Sequence, residues 1–118
     1  MRQIQQDVVQ ALRDRRNFRA GNGRDRIEWK GKNFKVYLWD NLIAEGNIKA
    51  KDIRVNDCGY ATATTTSRLN AVFAGLDLPV SVRIRSKQTV YYVHGDEVSG
   101  GPYPYIAGEW TMLISREA

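Results

Sequence analysis

Twice along the chain the spacing of apolar residues changes from helical to alternating, and this constrains the fold more than any other feature. Ile4, Val8, Ala11 and Leu12 fall on one stripe of a helix over residues 3–16. From Arg26 the period drops to two, with Ile27 and Trp29, then Phe34, Val36 and Leu38, on one face and Lys35, Tyr37 and Trp39 on the other. Leu69, Val72, Phe73 and Leu76 restore helical spacing, and beyond Pro79 the residues Val80, Val82 and Ile84 alternate with Ser81, Arg83 and Arg85. In 118 residues this predicts a single α+β domain: an N-terminal helix, an antiparallel β-meander, a second amphipathic helix and a second antiparallel meander. Val36-Tyr37 and Val90-Tyr91 each precede a hairpin-type turn, an echo that suggests two helix-plus-meander halves, about 1–55 and 64–118.

Turn chemistry sets the expected boundaries. Gly21-Asn22-Gly23 is expected to stop the first helix, and Lys30-Gly31-Lys32-Asn33 and Asp40-Asn41 to join strands, because Gly and Asn accept positive φ. A third strand from Leu42 to Glu45 closes at Gly46-Asn47, and residues 48–55 supply a fourth. Thr65 or Thr66 is the expected N-cap of the second helix, which Leu78-Pro79 ends. Gly100 to Tyr105 reads as a loop, since prolines cannot donate to a ladder, and Trp110 to Ile114 as the last strand.

Composition removes several functional classes. One cysteine, Cys58, excludes an internal disulfide, and with His94 as the single histidine a Cys/His zinc cage cannot form within the chain. No cofactor or metal is expected. The polar N-terminus, Met1-Arg2-Gln3-Ile4-Gln5, and the absence of a long apolar run point to a cytoplasmic protein without a membrane span. Of 18 Lys and Arg residues, 13 lie in residues 1–55, against 7 of the 13 acidic ones. The basic surface therefore belongs to the first half, and a polyanion or an acidic protein is the expected partner.

Three groups of side chains carry that expectation. Arg13, Arg16, Arg19, Lys30, Lys32 and Lys35 are the candidate nucleic-acid contacts. Thr66, Ser67 and Arg68, at the start of the second helix, form a candidate phosphate site of amides, hydroxyls and a guanidinium. Trp39, Tyr103 and Tyr105 are the candidate aromatic contacts, able to stack on bases. Catalysis has thinner support. His94 near Asp96 and Glu97 offers a general base, but the order is ordinary hairpin chemistry, and Cys58 beside Asp57 lacks an activating neighbour. Gly21-Asn22-Gly23 is no dinucleotide fingerprint, because Arg26 stands where a glycine is needed.

Arg15-Arg16-Asn17-Phe18, Gly21-Asn22, Val36-Tyr37-Leu38, Ile43-Ala44 and above all the run Gly59-Tyr60-Ala61-Thr62-Ala63-Thr64-Thr65-Thr66-Ser67-Arg68-Leu69-Asn70 resemble small accessory proteins of tailed bacteriophages. The resemblance covers residues 1–75; the lysine-rich 24–35 segment and the Gly-Pro-Tyr loop depart from it. It implies a phage-encoded accessory protein acting in the bacterial cytoplasm and brings no catalytic residue with it. The resulting expectation is a non-enzymatic nucleic-acid-binding protein. Its alternatives are a modulator or inhibitor of a host protein using the same basic and aromatic surface, and a small nucleotide-acting enzyme built on His94 and Asp96. Edge strands of a sheet this size also allow a homodimer.

Overall fold

The computed structural model describes residues 2–98 and 103–115, with the side chains of Tyr103 and Pro104 left undescribed. Helix α1 spans Gln3–Arg13; Gln5 Oε1 accepts the Arg2 N–H at 2.9 Å, and Val8, Val9, Ala11 and Leu12 are buried. The helix ends at Arg13, three residues short of the expected boundary. Arg16 N–H donates to Ala11 O at 3.0 Å and Arg15 N–H to Leu12 O at 3.3 Å, with Arg15 in the left-handed region at φ 53°. This is a Schellman closure with arginine where glycine is usual. Gly21-Asn22-Gly23, expected to stop the helix, instead turns the chain between β1 (Phe18–Ala20) and β2 (Asp25–Lys30).

Strands β3 (Asn33–Leu38), β4 (Asn41–Asn47) and β5 (Asp52–Asn56) continue an antiparallel meander from β2. Helix α2 (Ala63–Gly75) follows, then β6 (Val80–Arg85), β7 (Gln88–Val93) and β8 (Asp96–Val98), which form a separate three-stranded antiparallel sheet. The last hairpin, β9 (Tyr103–Ala107) and β10 (Trp110–Ser115), rejoins the first sheet, β10 lying parallel to β5. Among the described residues the large sheet thus has seven strands in the order β1-β2-β3-β4-β5-β10-β9. Tyr103 to Tyr105, expected as loop, belong to β9. Among the described residues that strand is at the edge of the sheet, a position where proline is tolerated.

The α+β class expected from the periodicities is the observed one, and α2 joins its parts. The two helices run side by side in the same direction: Gln5 reaches Ser67 O, and Arg13 reaches Ala74 O and Asp77, each at 3.4 Å. Phe73 packs edge-on against Tyr91 of β7, centroids 6.4 Å apart, and the Asn70 amide donates to Val82 O at 3.0 Å and accepts from Val82 N at 2.8 Å. That amide occupies backbone groups on the edge strand β6, which would otherwise be open to another strand. On the other side Arg68 Nε meets Asp25 Oδ1 at 2.5 Å, while Arg24 holds Oδ2 at 2.7 Å. Arg68 and Asp25 side chains are 7% and 4% exposed, so neither charge is screened by water. Among the described residues no helix is long and apolar enough to cross a membrane.

Two predictions follow from the packing. Replacing Arg68→Ala strands a buried carboxylate that Arg24 neutralises only in part, and urea unfolding is expected to show a loss of about 3 kcal/mol or more, partly recovered in the all-apolar pair Asp25→Leu, Arg68→Met. At Gly46 an added Cβ would lie 2.2 Å from Asp52 O and 3.1 Å from the Phe34 ring, so Gly46→Ala forces β4 from β5. Its melting temperature is expected to fall in step with a destabilisation of about 1–3 kcal/mol.

Candidate nucleic-acid interface

The start of α2 differs from expectation. Thr62, not Thr65 or Thr66, is the N-cap, its Oγ1 accepting from Thr65 N at 3.2 Å. Thr66 Oγ1 donates back to Thr62 O and Ala63 O, both at 3.1 Å, Ser67 Oγ faces Arg68 at 3.3 Å, and the Arg68 guanidinium is engaged by Asp25. Thr66, Ser67 and Arg68 therefore point into the protein's own framework rather than towards an anion. What opens at this end is a cleft of about 440 Å³ between the exposed rings of Trp39 and Tyr60. Trp39 was expected on a strand face but occupies the tight turn between β3 and β4. Tyr60, just ahead of the cap, was not among the expected aromatic contacts, although the dipeptide Gly59-Tyr60 marks it in the sequence.

The six candidate cations divide between the outer face of the large sheet and one end of the molecule, and Lys30, the last residue of β2, belongs to both. The outer face of the large sheet carries Arg19, Arg26, Lys30 and Lys35, with Glu28, Lys35, Glu45 and Arg54 in register across four neighbouring strands. That row alternates in sign, and Lys35 stands between two glutamates. Arg26 is held by Asp40 at 2.6 Å and by Glu28 at 3.5 Å while lying over the Tyr37 ring. The outer face is a ladder of paired charges, each pair supplying roughly 0.2–1 kcal/mol to the sheet, not a continuous positive field.

The segments that carry Arg13, Arg16, Lys30 and Lys32 meet at the end of the molecule where α1 and α2 finish. Asn17 Oδ1 accepts Trp29 N–H at 2.7 Å, which sets Arg16 beside the end of β2; Ile48 N–H donates to Lys32 O at 3.0 Å, which brings in the turn holding Lys49 and Lys51. A cleft of about 540 Å³ there is lined by Arg13, Arg15, Lys51, Asp77, Glu109 and Trp110 among others. The counter-charges are Asp77 on Arg13 at 3.4 Å, Asp14 on Arg16 at 3.7 Å and Glu109 on Lys51 at 3.0 Å, all at exposed or half-exposed side chains. Surface pairs of this kind are weak, and their cations stay available. Lys49 and Lys51 were not anticipated, and Arg15 stands out in the sequence only as one of the arginines at the end of the first helix: its αL position and the contact between turns become visible only in the fold.

Tyr105 is half-buried against the core rather than a free ring, and the Tyr103 side chain and residues Ser99 to Pro102 lie outside the described residues. His94 shares a two-residue turn with Gly95, at φ 52° and 83°, and Glu97 is taken by Arg85 at 2.8 Å. Among the described residues no three His, Cys, Asp or Glu side chains are placed to hold a metal ion. Cys58 Sγ donates to Leu42 O at 3.4 Å, and burial first, then the charge of Asp57, pushes its pKa up.

A two-helix, two-sheet α+β chain with a cation-rich end is what the geometry defines. A family model matches residues 1–112, and the chain belongs to that family, the Kyanoviridae Gp96 protein family, a group of phage proteins. No curated protein matches the chain. No solved structure matches it either.

The raised thiol pKa gives a direct check. Cys58 is expected to be alkylated by iodoacetamide at neutral pH more slowly than a free cysteine, as read by mass spectrometry, and to reach that rate on unfolding in urea.

Proposed function

We propose that this phage protein is a nucleic-acid-binding accessory protein whose contact surface is the end bearing Arg13, Arg15, Arg16, Lys30, Lys32, Lys49 and Lys51. The observation that carries the reading is proximity: these cations come from three separate segments, the end of α1, the β2–β3 turn and the β4–β5 turn, which pack together at one end of the molecule. Each helix C-terminus adds about half a negative charge to this end, and Asp14, Asp77 and Glu109 add three, so the seven cations remain in excess. Arg15 supports the reading separately. It sits at φ 53°, where glycine costs nothing and a side chain costs about 1 kcal/mol, and its charge is set beside Arg13 and Lys51.

Phosphate contacts release counterions, so affinity for an oligonucleotide is expected to fall steeply between about 50 and 200 mM salt. Lys32→Ala and Lys49→Ala should each flatten the log-affinity against log-salt slope by about 1, whereas Lys35→Ala should leave it unchanged. Arg15→Gly is expected to stabilise the fold by about 1 kcal/mol while weakening the complex. Binding with no salt dependence, or no binding at the low-salt limit, would refute the assignment.

A further inference from the structure

Trp39 and Asp40 form the two-residue link between β3 and β4, with Leu38 paired to Asn41 and φ of 52° and 62°. A turn with two positive φ values favours Asn-Gly, and a bulky aromatic side chain is among the poorest choices for it. The ring placed there at that steric disadvantage is 65% exposed, and across the cleft Tyr60 is 54% exposed. Leu38 and Ile43 form an apolar floor, and Asn41, Asp57, Thr62, Thr64 and Thr65 supply a rim of small polar groups. A volume of about 440 Å³ is that of a small-molecule pocket.

We infer that this cleft takes a nucleobase, stacked on Trp39 and Tyr60, with the amide and hydroxyl rim reading its polar edge. An aliphatic or purely apolar occupant would leave the rim unsatisfied, whereas a base supplies both a flat π-face and donors and acceptors around it. The Trp39 backbone N–H donates to Arg24 O at 2.8 Å, which sets the β1–β2 hairpin beside the turn that carries the ring, and the Arg19 guanidinium lies against Gly23 of that hairpin, a positive charge for a phosphate joined to the base. Bases within a duplex have both faces covered by their neighbours, so the cleft selects an unpaired base. The inference rests on the nucleic-acid reading above and narrows it to single strands. Cleft and cation-rich end lie at opposite ends of β3, six residues apart, or about 20 Å.

The test compares a single-stranded oligothymidylate, a duplex of equal length and a mononucleotide, using tryptophan fluorescence quenching and affinity. The variants are Trp39→Asn, whose new residue suits the turn and so preserves folding, and Tyr60→Leu. Single-strand affinity is expected to drop about tenfold in each variant with duplex affinity unchanged, and the quenching in Trp39→Asn to fall to the part that Trp110, which lines the cation-rich end, supplies, equal to that seen with the duplex. Equal losses for single strand and duplex, or no loss, would overturn the inference while leaving the cation-rich end intact. If the wild-type chain binds no oligonucleotide, the proposed function fails, and the mononucleotide decides the cleft alone: saturable quenching through Trp39 upholds a base site, and its absence removes it.

Discussion

The carboxylate of Asp25, held inside the protein by Arg68 and Arg24, fixes how the second helix sits on the large sheet. A buried charge tolerates few alternatives, because withdrawing either partner leaves an ion in a medium that cannot solvate it. Asp25 lies on the inner face of β2, level with Ala20 of β1 and Leu38 of β3, so its position is inherited from the meander's register. Once α2 is docked through Arg68, Asn70 points at Val82, and the small sheet is oriented by the same helix. Apolar burial by Leu69, Ala71, Val72 and Phe73 supplies most of the driving force, roughly 1.5–3 kcal/mol for each large side chain, while the polar contacts choose the arrangement.

The stretch from Gly59 to Asn70 takes on a different meaning in this light. Its threonines cap and tighten the first turn of α2, its arginine reaches one sheet and its asparagine the other. These are framework roles, and they engage the same hydroxyls and guanidinium that read as a phosphate site in the sequence. Membership in the Kyanoviridae Gp96 family gives a phage context; of the candidate interfaces, the cation-rich end lies away from this stretch, whereas the cleft beside Trp39 is lined by its first residues, Tyr60, Thr62, Thr64 and Thr65.

Much of the fold was legible because spacing reports burial. Both helices and the strands β2, β3, β6, β7 and β10 are marked by apolar residues recurring at 3.6 or at two. Boundaries were less so: the chain leaves α1 through Arg15 rather than at Gly21, since hydrogen bonds to Ala11 and Leu12 can hold an arginine in a left-handed conformation. The short strand β1 has a single clear core-directed residue, Phe18, too little pattern to read. Pairing between distant strands left no local trace at all: Tyr103 to Tyr105 read as loop, and nothing in the spacing marked the return of β10 to β5. For the candidate site, the sequence named Arg13, Arg16, Lys30 and Lys32 but could not distinguish them from Lys35, whose neighbouring glutamates lie on other strands.

The parallel contact between β5 and β10 links Asp52 with Thr111 and Val55 with Ile114 across the whole length of α2 and the small sheet. Until β10 has been synthesised, β5 presents a bare row of amides and carbonyls to its surroundings. The order of events in forming this molecule is therefore dictated from its far end: early hairpins can form as they emerge, but the middle of the main sheet must wait. A nascent chain of this design spends its first moments with an adhesive seam, and closing that seam is the step on which both speed and yield of maturation turn.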